Sequence, residues 1–278
     1  MNLFRSREGA LADADAKTQL TTLGSQTAPG PLLVPGDAKF LKAAHVAVIT
    51  SFEAADNYSF LVRLEGPGIQ RGVFNFAAGS GGVPVATGGS ASVNAVRIPI
   101  NIPVIAGQEV LVFAENVQGD MGTHQAAVTL EFGSEAGPEG ETLGEITVEG
   151  EITAVDTLTR LTAQGSVTAP SRLTPPNAKI LKRLIYSVAH DGQADGEVNF
   201  IVRLGGDAIR GGEQTLVLGG GSRIAVQTGS DAAPNVMAPR VIDNLDLEVN
   251  PGETLDISAE MAGVDVGTAG IVVTAIFA

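Results

Sequence analysis

The sequence predicts an all-β protein made of two tandem, homologous antiparallel β-sandwich domains. Three observations carry that prediction. Apolar and polar residues alternate at a period of two over many short segments. The chain repeats itself at a nearly constant offset. No segment shows the longer-period stripe of an amphipathic helix.

The repeat is the strongest signal. Residues 38–42 (AKFLK) recur as 178–182 (AKILK), and residues 60–64 (FLVRL) recur as 200–204 (FIVRL), both 140 positions on. Upstream, residues 24–29 match residues 165–170. Residues 107–132 align without gaps to residues 252–277 at an offset of 145, with nine of 26 positions identical. Small drifts in offset are what loop insertions produce. The chain therefore divides into an N-terminal arm (1–20), a first sandwich (21–133), an acidic linker (134–159) and a second sandwich (160–278). Within the linker, residues 145–153 (EITVEGEIT) alternate and suit either a strand or an extended arm.

In chain order, Tyr58, Phe60, Val62 and Leu64 share one strand face, with Ser59 and Arg63 on the other. Val96, Ile98, Ile100, Ile102 and Val104 alternate with two prolines, Pro99 and Pro103, that cannot donate ladder hydrogen bonds, so this segment predicts an edge strand. The second copy repeats the first row with Val198, Phe200, Val202 and Leu204. Leu245, Leu247 and Val249 alternate with acids, Asn250-Pro251-Gly252 reads as a turn, and Leu255, Ile257, Ala259 and Met261 continue as a strand. Residues 271–277 are apolar on both faces, as expected of a strand between layers. Each copy offers seven or eight segments, which suits a jelly roll or an immunoglobulin-like sandwich. The Gly-rich stretches 79–82 and 219–221 read as connections, and the missing Cys…Trp…Cys pattern favours the jelly roll.

Composition excludes more chemistry than it offers. The 278 residues include no Cys and no Trp, and 17 basic against 31 acidic residues give a net charge of −14. Disulfides, thiolate metal sites and a thiol nucleophile are out. An acidic chain without a basic cluster is expected to bind no nucleic acid directly. Without Trp and with two tyrosines, Tyr58 and Tyr186, a sugar-stacking platform is not expected. The N-terminus shows no apolar run of signal-peptide type, so the chain is expected to stay in the compartment where it is made.

Candidate sites are few. His45, His124 and His190 neither recur between copies nor form a His-x-His pair, so no histidine metal or acid–base site is expected. No nucleophile elbow or phosphate loop is present. The expectation is a chain with no catalytic residues, no cofactor and no small-molecule substrate. One constellation recurs: Glu115-x4-Asp120-x-Gly122-Thr123 and Glu260-x4-Asp265-x-Gly267-Thr268. Its paired carboxylates could hold Ca²⁺; the same spacing also suits a plain hairpin turn. Arg63 and Arg203 match mid-strand, opposite the apolar row, and are candidates for an ion pair within or between subunits.

Two fused sandwiches give quasi-equivalent bodies at fixed relative placement, and a cyclic trimer of them presents six around one axis. In this the chain resembles the double-jelly-roll major capsid proteins of tailless icosahedral bacterial and archaeal viruses. The resemblance is architectural and rests on AKFLK/AKILK, FLVRL/FIVRL and the 107–132/252–277 block. It implies homotrimeric pseudo-hexagonal capsomers, a lattice of trimers in contact with other virion proteins, and an arm over residues 1–20 turned toward an internal membrane. It also implies assembly in the host cytoplasm and residence in the virion. The alternative is an extracellular filament, adhesin or surface-layer subunit built from tandem sandwiches.

Overall fold

The computed structural model describes residues 2–11, 16–52, 57–82, 89–117, 124–138, 140–167, 169–190, 198–219, 235–263 and 267–278. Among these residues there are strands and turns and no helix.

The first half runs β1 (Leu3–Leu11), β2 (Thr18–Gln19), β3 (Phe40–Phe52), β4 (Asn57–Glu65), β5 (Phe74–Gly82), β6 (Gly89–Pro103), β7 (Leu111–Val117) and β8 (His124–Gly133). The second runs β9 (Gly144–Ile152), β10 (Thr159–Arg160), β11 (Ile180–His190), β12 (Val198–Gly205), β13 (Gln214–Gly219), β14 (Asn235–Met237), β15 (Arg240–Ile242), β16 (Leu247–Glu248), β17 (Asp256–Gly263) and β18 (Ala269–Phe277).

The first half builds two antiparallel sheets, β1-β8-β3-β6 and β2-β7-β4-β5. The second builds β9-β18-β11-β15, with β16 also on β11, and β10-β17-β12-β13. Both halves follow one order once β15 and β16, which both pair β11, are counted together as the counterpart of β6, and β17 and β18 as the counterparts of β7 and β8: strands 1, 8, 3 and 6 share one sheet and 2, 7, 4 and 5 the other, with β14 outside this set. That interleaving is the jelly roll. Register irregularities recur as well. Breaks fall between Leu41 and Ala43 and between Leu181 and Arg183, and again between Phe60 and Leu61 and between Phe200 and Ile201.

Alternation places the cores as expected. Phe60, Val62, Leu64 and Phe76 are buried with Val46, Val128 and Leu130 inside the first sandwich. Phe200, Val202, Leu204, Tyr186, Val273 and Phe277 fill the second. Each such side chain contributes about 1.5–3 kcal/mol on burial. The proline-bearing β6 is an edge strand, as its missing donors require. β18 is buried along its whole length.

Several sequence expectations are corrected. Within the N-terminal arm (1–20), residues 3–11 are a paired strand. β1 zips onto β8 over nine residue pairs, Leu3↔Phe132 to Leu11↔His124, and covers an edge that would otherwise be open. The alternating segment 145–153 is a strand, as one of its two readings had it, and because β9 belongs to the second sandwich and pairs β18 throughout, the linker is shorter than 134–159. What remains is strapped to β6: Thr142 Oγ1 donates to Ile100 O at 2.6 Å, and Gly137 N to Asn101 Oδ1 at 2.7 Å. The Gly-rich stretch 79–82 lies within β5 rather than in a connection. Finally, β14 leaves its own sandwich and pairs with Ser80–Gly82 of β5, capping the edge of the first sandwich.

The turn after β12 needs glycine for two reasons. Gly206 has φ +81°, and a Cβ there would lie 2.5 Å from Thr254 O. Gly211 has φ +89° with open space around it. Gly206→Ala is therefore expected to lose about 2–3 kcal/mol, and Gly211→Ala about 1 kcal/mol. Thermal unfolding of the two variants checks the difference; equal losses would mean that the clash is relieved at no cost.

Candidate functional site at the seam between the sandwiches

The outer face of the β2-β7-β4-β5 sheet packs against the outer face of the β9-β18-β11-β15 sheet. The molecule is therefore four β-layers deep, and Ile185, Val272 and Ile276 of the second sandwich join the buried cluster of the first. Alternation dictates which residues enter this seam. With Phe60, Val62 and Leu64 turned inward, Ser59, Leu61 and Arg63 point out, and Ser59 and Leu61 are fully buried.

A chain of hydroxyls runs through the seam. Ala77 N donates to Thr274 Oγ1 at 3.0 Å, Thr274 and Thr147 join hydroxyls at 2.9 Å, and Thr147 Oγ1 donates to Asn75 O at 3.2 Å. Beside it, Asn75 N and Nδ2 donate to Glu145 Oε1 at 2.9 and 3.1 Å. Ser80 Oγ donates to Val188 O at 3.0 Å. Arg183, 2% exposed, spans the sandwiches: Nη1 donates to Pro99 O at 3.0 Å and Nε to Asp243 Oδ1 at 2.8 Å. Two carboxylates grip one turn of the second sandwich. Glu149 Oε1 accepts Gly165 N at 2.7 Å, while Glu115 Oε2 accepts Ser166 N at 2.8 Å and Oε1 accepts Ser166 Oγ at 3.2 Å.

The predicted site residues fall as follows. Glu115 is fully buried in the seam. Glu260, its repeat partner, lies on the open outer sheet and accepts Arg203 Nη2 at 2.9 Å. Asp120 and Asp265 lie outside the described residues, as do Gly122 and Thr123. Among the described residues no group of three or more His, Cys, Asp or Glu is placed to hold a metal ion. Arg63 pairs with Glu65 at 2.6 Å on its own strand and borders the seam near Glu145. Arg203 also reaches Glu213 at 3.4 Å. His45 contacts Glu131 at 3.3 Å on the open face of the first sandwich, where Arg97 Nε donates to the same carboxylate at 2.9 Å. Burial works to raise the Glu131 pKa, yet these two partners outweigh it and hold the carboxyl below its ordinary value. His190 is buried at the end of β11.

Sequence reasoning missed Thr147, Thr274 and Glu145, because a strand threonine or an acid in an alternating segment looks like an ordinary solvated residue. One signal was available: Thr274 is identical to Thr129 in a repeat where few positions are.

No family model matches the chain, and no curated protein does. Solved structures do. PNGF-II is 9% identical, with a TM-score of 0.45 over 99% of this chain and 65% of the other, so this chain spans just under two thirds of that protein's length. PNGase F, a glycosylasparaginase from Flavobacterium meningosepticum, is 10% identical, with a TM-score of 0.38 over 98% and 96%. Low-scoring likenesses include A223, a turret protein of Sulfolobus turreted icosahedral virus, at 11% identity and a TM-score of 0.21 over 93% and 98%. The IBDV particle protein also scores 0.21. The expectation that the chain is not an enzyme is corrected to no statement either way, because the matched structures include an N-glycanase and a glycosylasparaginase. At such scores the likenesses bring no activity with them.

Burial between the sandwiches pushes the Glu145 carboxyl up to about 7, against the opposing pull of the Asn75 hydrogen bonds and Arg63. A raised acid pKa means that the folded state holds the extra proton. Stability should then fall as pH rises from about 4.5, where the unfolded carboxyl titrates, to about 7. The expected loss is about 2 kcal/mol, discounted for the partial exposure of the side chain. Chemical unfolding of wild type and Glu145→Gln at pH 5 and pH 8 measures it. The glutamine variant should lose most of the slope; an unchanged slope would assign it to another group.

Proposed function

We propose that the chain is a structural subunit of a viral shell, a major capsid protein whose homotrimers form pseudo-hexagonal capsomers. One observation supports this above the rest. Two sandwiches of the same strand order are held in fixed relation by a face-to-face seam, with the corresponding outer faces left open at the two ends of the stack. A contact between unlike faces is heterologous, and repeated heterologous contacts build rings when the rotation closes. Three chains then place six similar bodies around one axis, a shape that tiles a layer.

Under this reading the partners are further copies of the chain, then neighbouring trimers and other virion proteins. The location is the virion, after synthesis in the host cytoplasm. The acidic surface keeps free subunits apart until complementary faces meet.

A second reading, a filament or surface-layer subunit, is favoured by the strand addition of β14 onto β5. Solution mass and electron microscopy separate the two. The capsomer reading expects the mass of three 28.3 kDa chains and compact six-lobed particles. Open fibres would support the second reading, and a monomer at high concentration would remove the first.

A further inference from the structure

We propose that the outer face of the β10-β17-β12-β13 sheet docks the first sandwich of a second copy of this chain, which presents its outer β1-β8-β3-β6 face and its Gly24–Ser25 turn. The inference rests on the capsomer reading and assigns the surfaces that reading needs.

The intrachain seam provides the template, because each of its halves has a register-equivalent copy that lies open. On one side, Leu61 pairs with Ala77 and Arg63 with Asn75, all at the seam. At the same register in the second sandwich, Ile201 pairs with Val217 and Arg203 with Thr215. Ala77 is fully buried, whereas Val217 is 66% exposed. Glu115, buried and bonded to Ser166, corresponds to Glu260 on the open sheet.

The other side repeats as well. In the seam, Thr274 lies opposite Thr147 on the neighbouring strand, and their hydroxyls meet at 2.9 Å. In the first sandwich, Thr129 lies opposite Ser6, and their hydroxyls meet at 2.8 Å on the open face. Glu149 accepts Gly165 N at 2.7 Å; its counterpart Glu8 accepts Gly24 N at 2.6 Å. Ser166, which bonds Glu115, therefore has its copy in Ser25, exposed next to a 38%-exposed Leu23. The turn is built and held by its own glutamate in both sandwiches, but it grips a partner in only one of them.

Superposing one contact on the other fixes the pairings across two copies. Val217 N donates to Thr129 Oγ1, Ser6 Oγ donates to Thr215 O, and Glu260 accepts Ser25 N and Oγ. Apolar cover comes from Ile201 and Val217 against Phe4, which is 50% exposed and takes the place of Glu145. These are unlike faces of one chain, so the contact is head-to-tail.

The chain has no cysteine, which makes cross-linking clean. Ser25→Cys with Glu260→Cys is treated with a short bismaleimide and run on a denaturing gel. Ser166→Cys with Glu115→Cys serves as the intrachain standard, linking without a gain in mass. The proposal expects the 25/260 pair to link copies into species of two and three chains and no more, and Val217→Asp to weaken assembly at least tenfold. Trimers by mass that neither link at 25/260 nor respond to Val217→Asp would overturn this assignment and leave the capsomer reading standing. Linked ladders running well beyond three chains would support these faces and overturn the closed capsomer. Monomers in every condition would overturn both.

Discussion

A short row of hydroxyls and amides, buried between two β-sheets that in most sandwiches would face water, is the interaction on which this molecule depends. Ala77, Thr274, Thr147 and Asn75 form it. Apolar burial around it, from Leu61, Ile185, Val272 and Ile276, supplies most of the attraction at about 1.5–3 kcal/mol for each side chain. The hydrogen bonds add about 1 kcal/mol each, but a buried donor left unpaired costs about 1–3 kcal/mol. A slip of the seam by one residue would orphan the whole row. The polar chain therefore sets the register, and the apolar contacts set the strength.

The same residue types perform different work in the two sandwiches. Arg63 and Arg203 occupy equivalent positions, yet Arg63 borders a closed interface and Arg203 forms a fork with Glu260 and Glu213 on an open sheet. Glu115 holds a turn of the other sandwich, while Glu260 holds an arginine of its own. Matching sequence placed these side chains at matching registers. Neighbours decided what each one touches.

This explains what could be read from the sequence and what could not. Phe60-Leu61-Val62-Arg63-Leu64 and its copy announced two strands and their inward faces, and the alternation needed no tertiary knowledge. The even burial of β18 was also legible, because a run apolar on both faces has few other homes. β1 was not, since Arg5, Arg7 and Glu8 give an edge strand the look of a solvated tail. β14 carries three residues of ordinary composition and pairs with the opposite sandwich, which no local pattern reveals. The glycines of residues 79–82 suggested a loop because glycine in a strand is recognised only when a partner approaches its backbone. Glu145 and Thr147 sat in an alternating segment whose outward face was covered by a layer that the segment itself does not encode.

The claim that matters most is that the seam is part of the native core rather than a loose contact between two independent bodies. Native-state hydrogen exchange tests it at one proton. The Ala77 amide should exchange only on global unfolding, at the same free energy as the amides of Val62 and Val273 in the two sandwich interiors. Exchange at the rate of an exposed loop amide, with those interior amides still protected, would show that the sandwiches part while each remains folded, and would contradict the account.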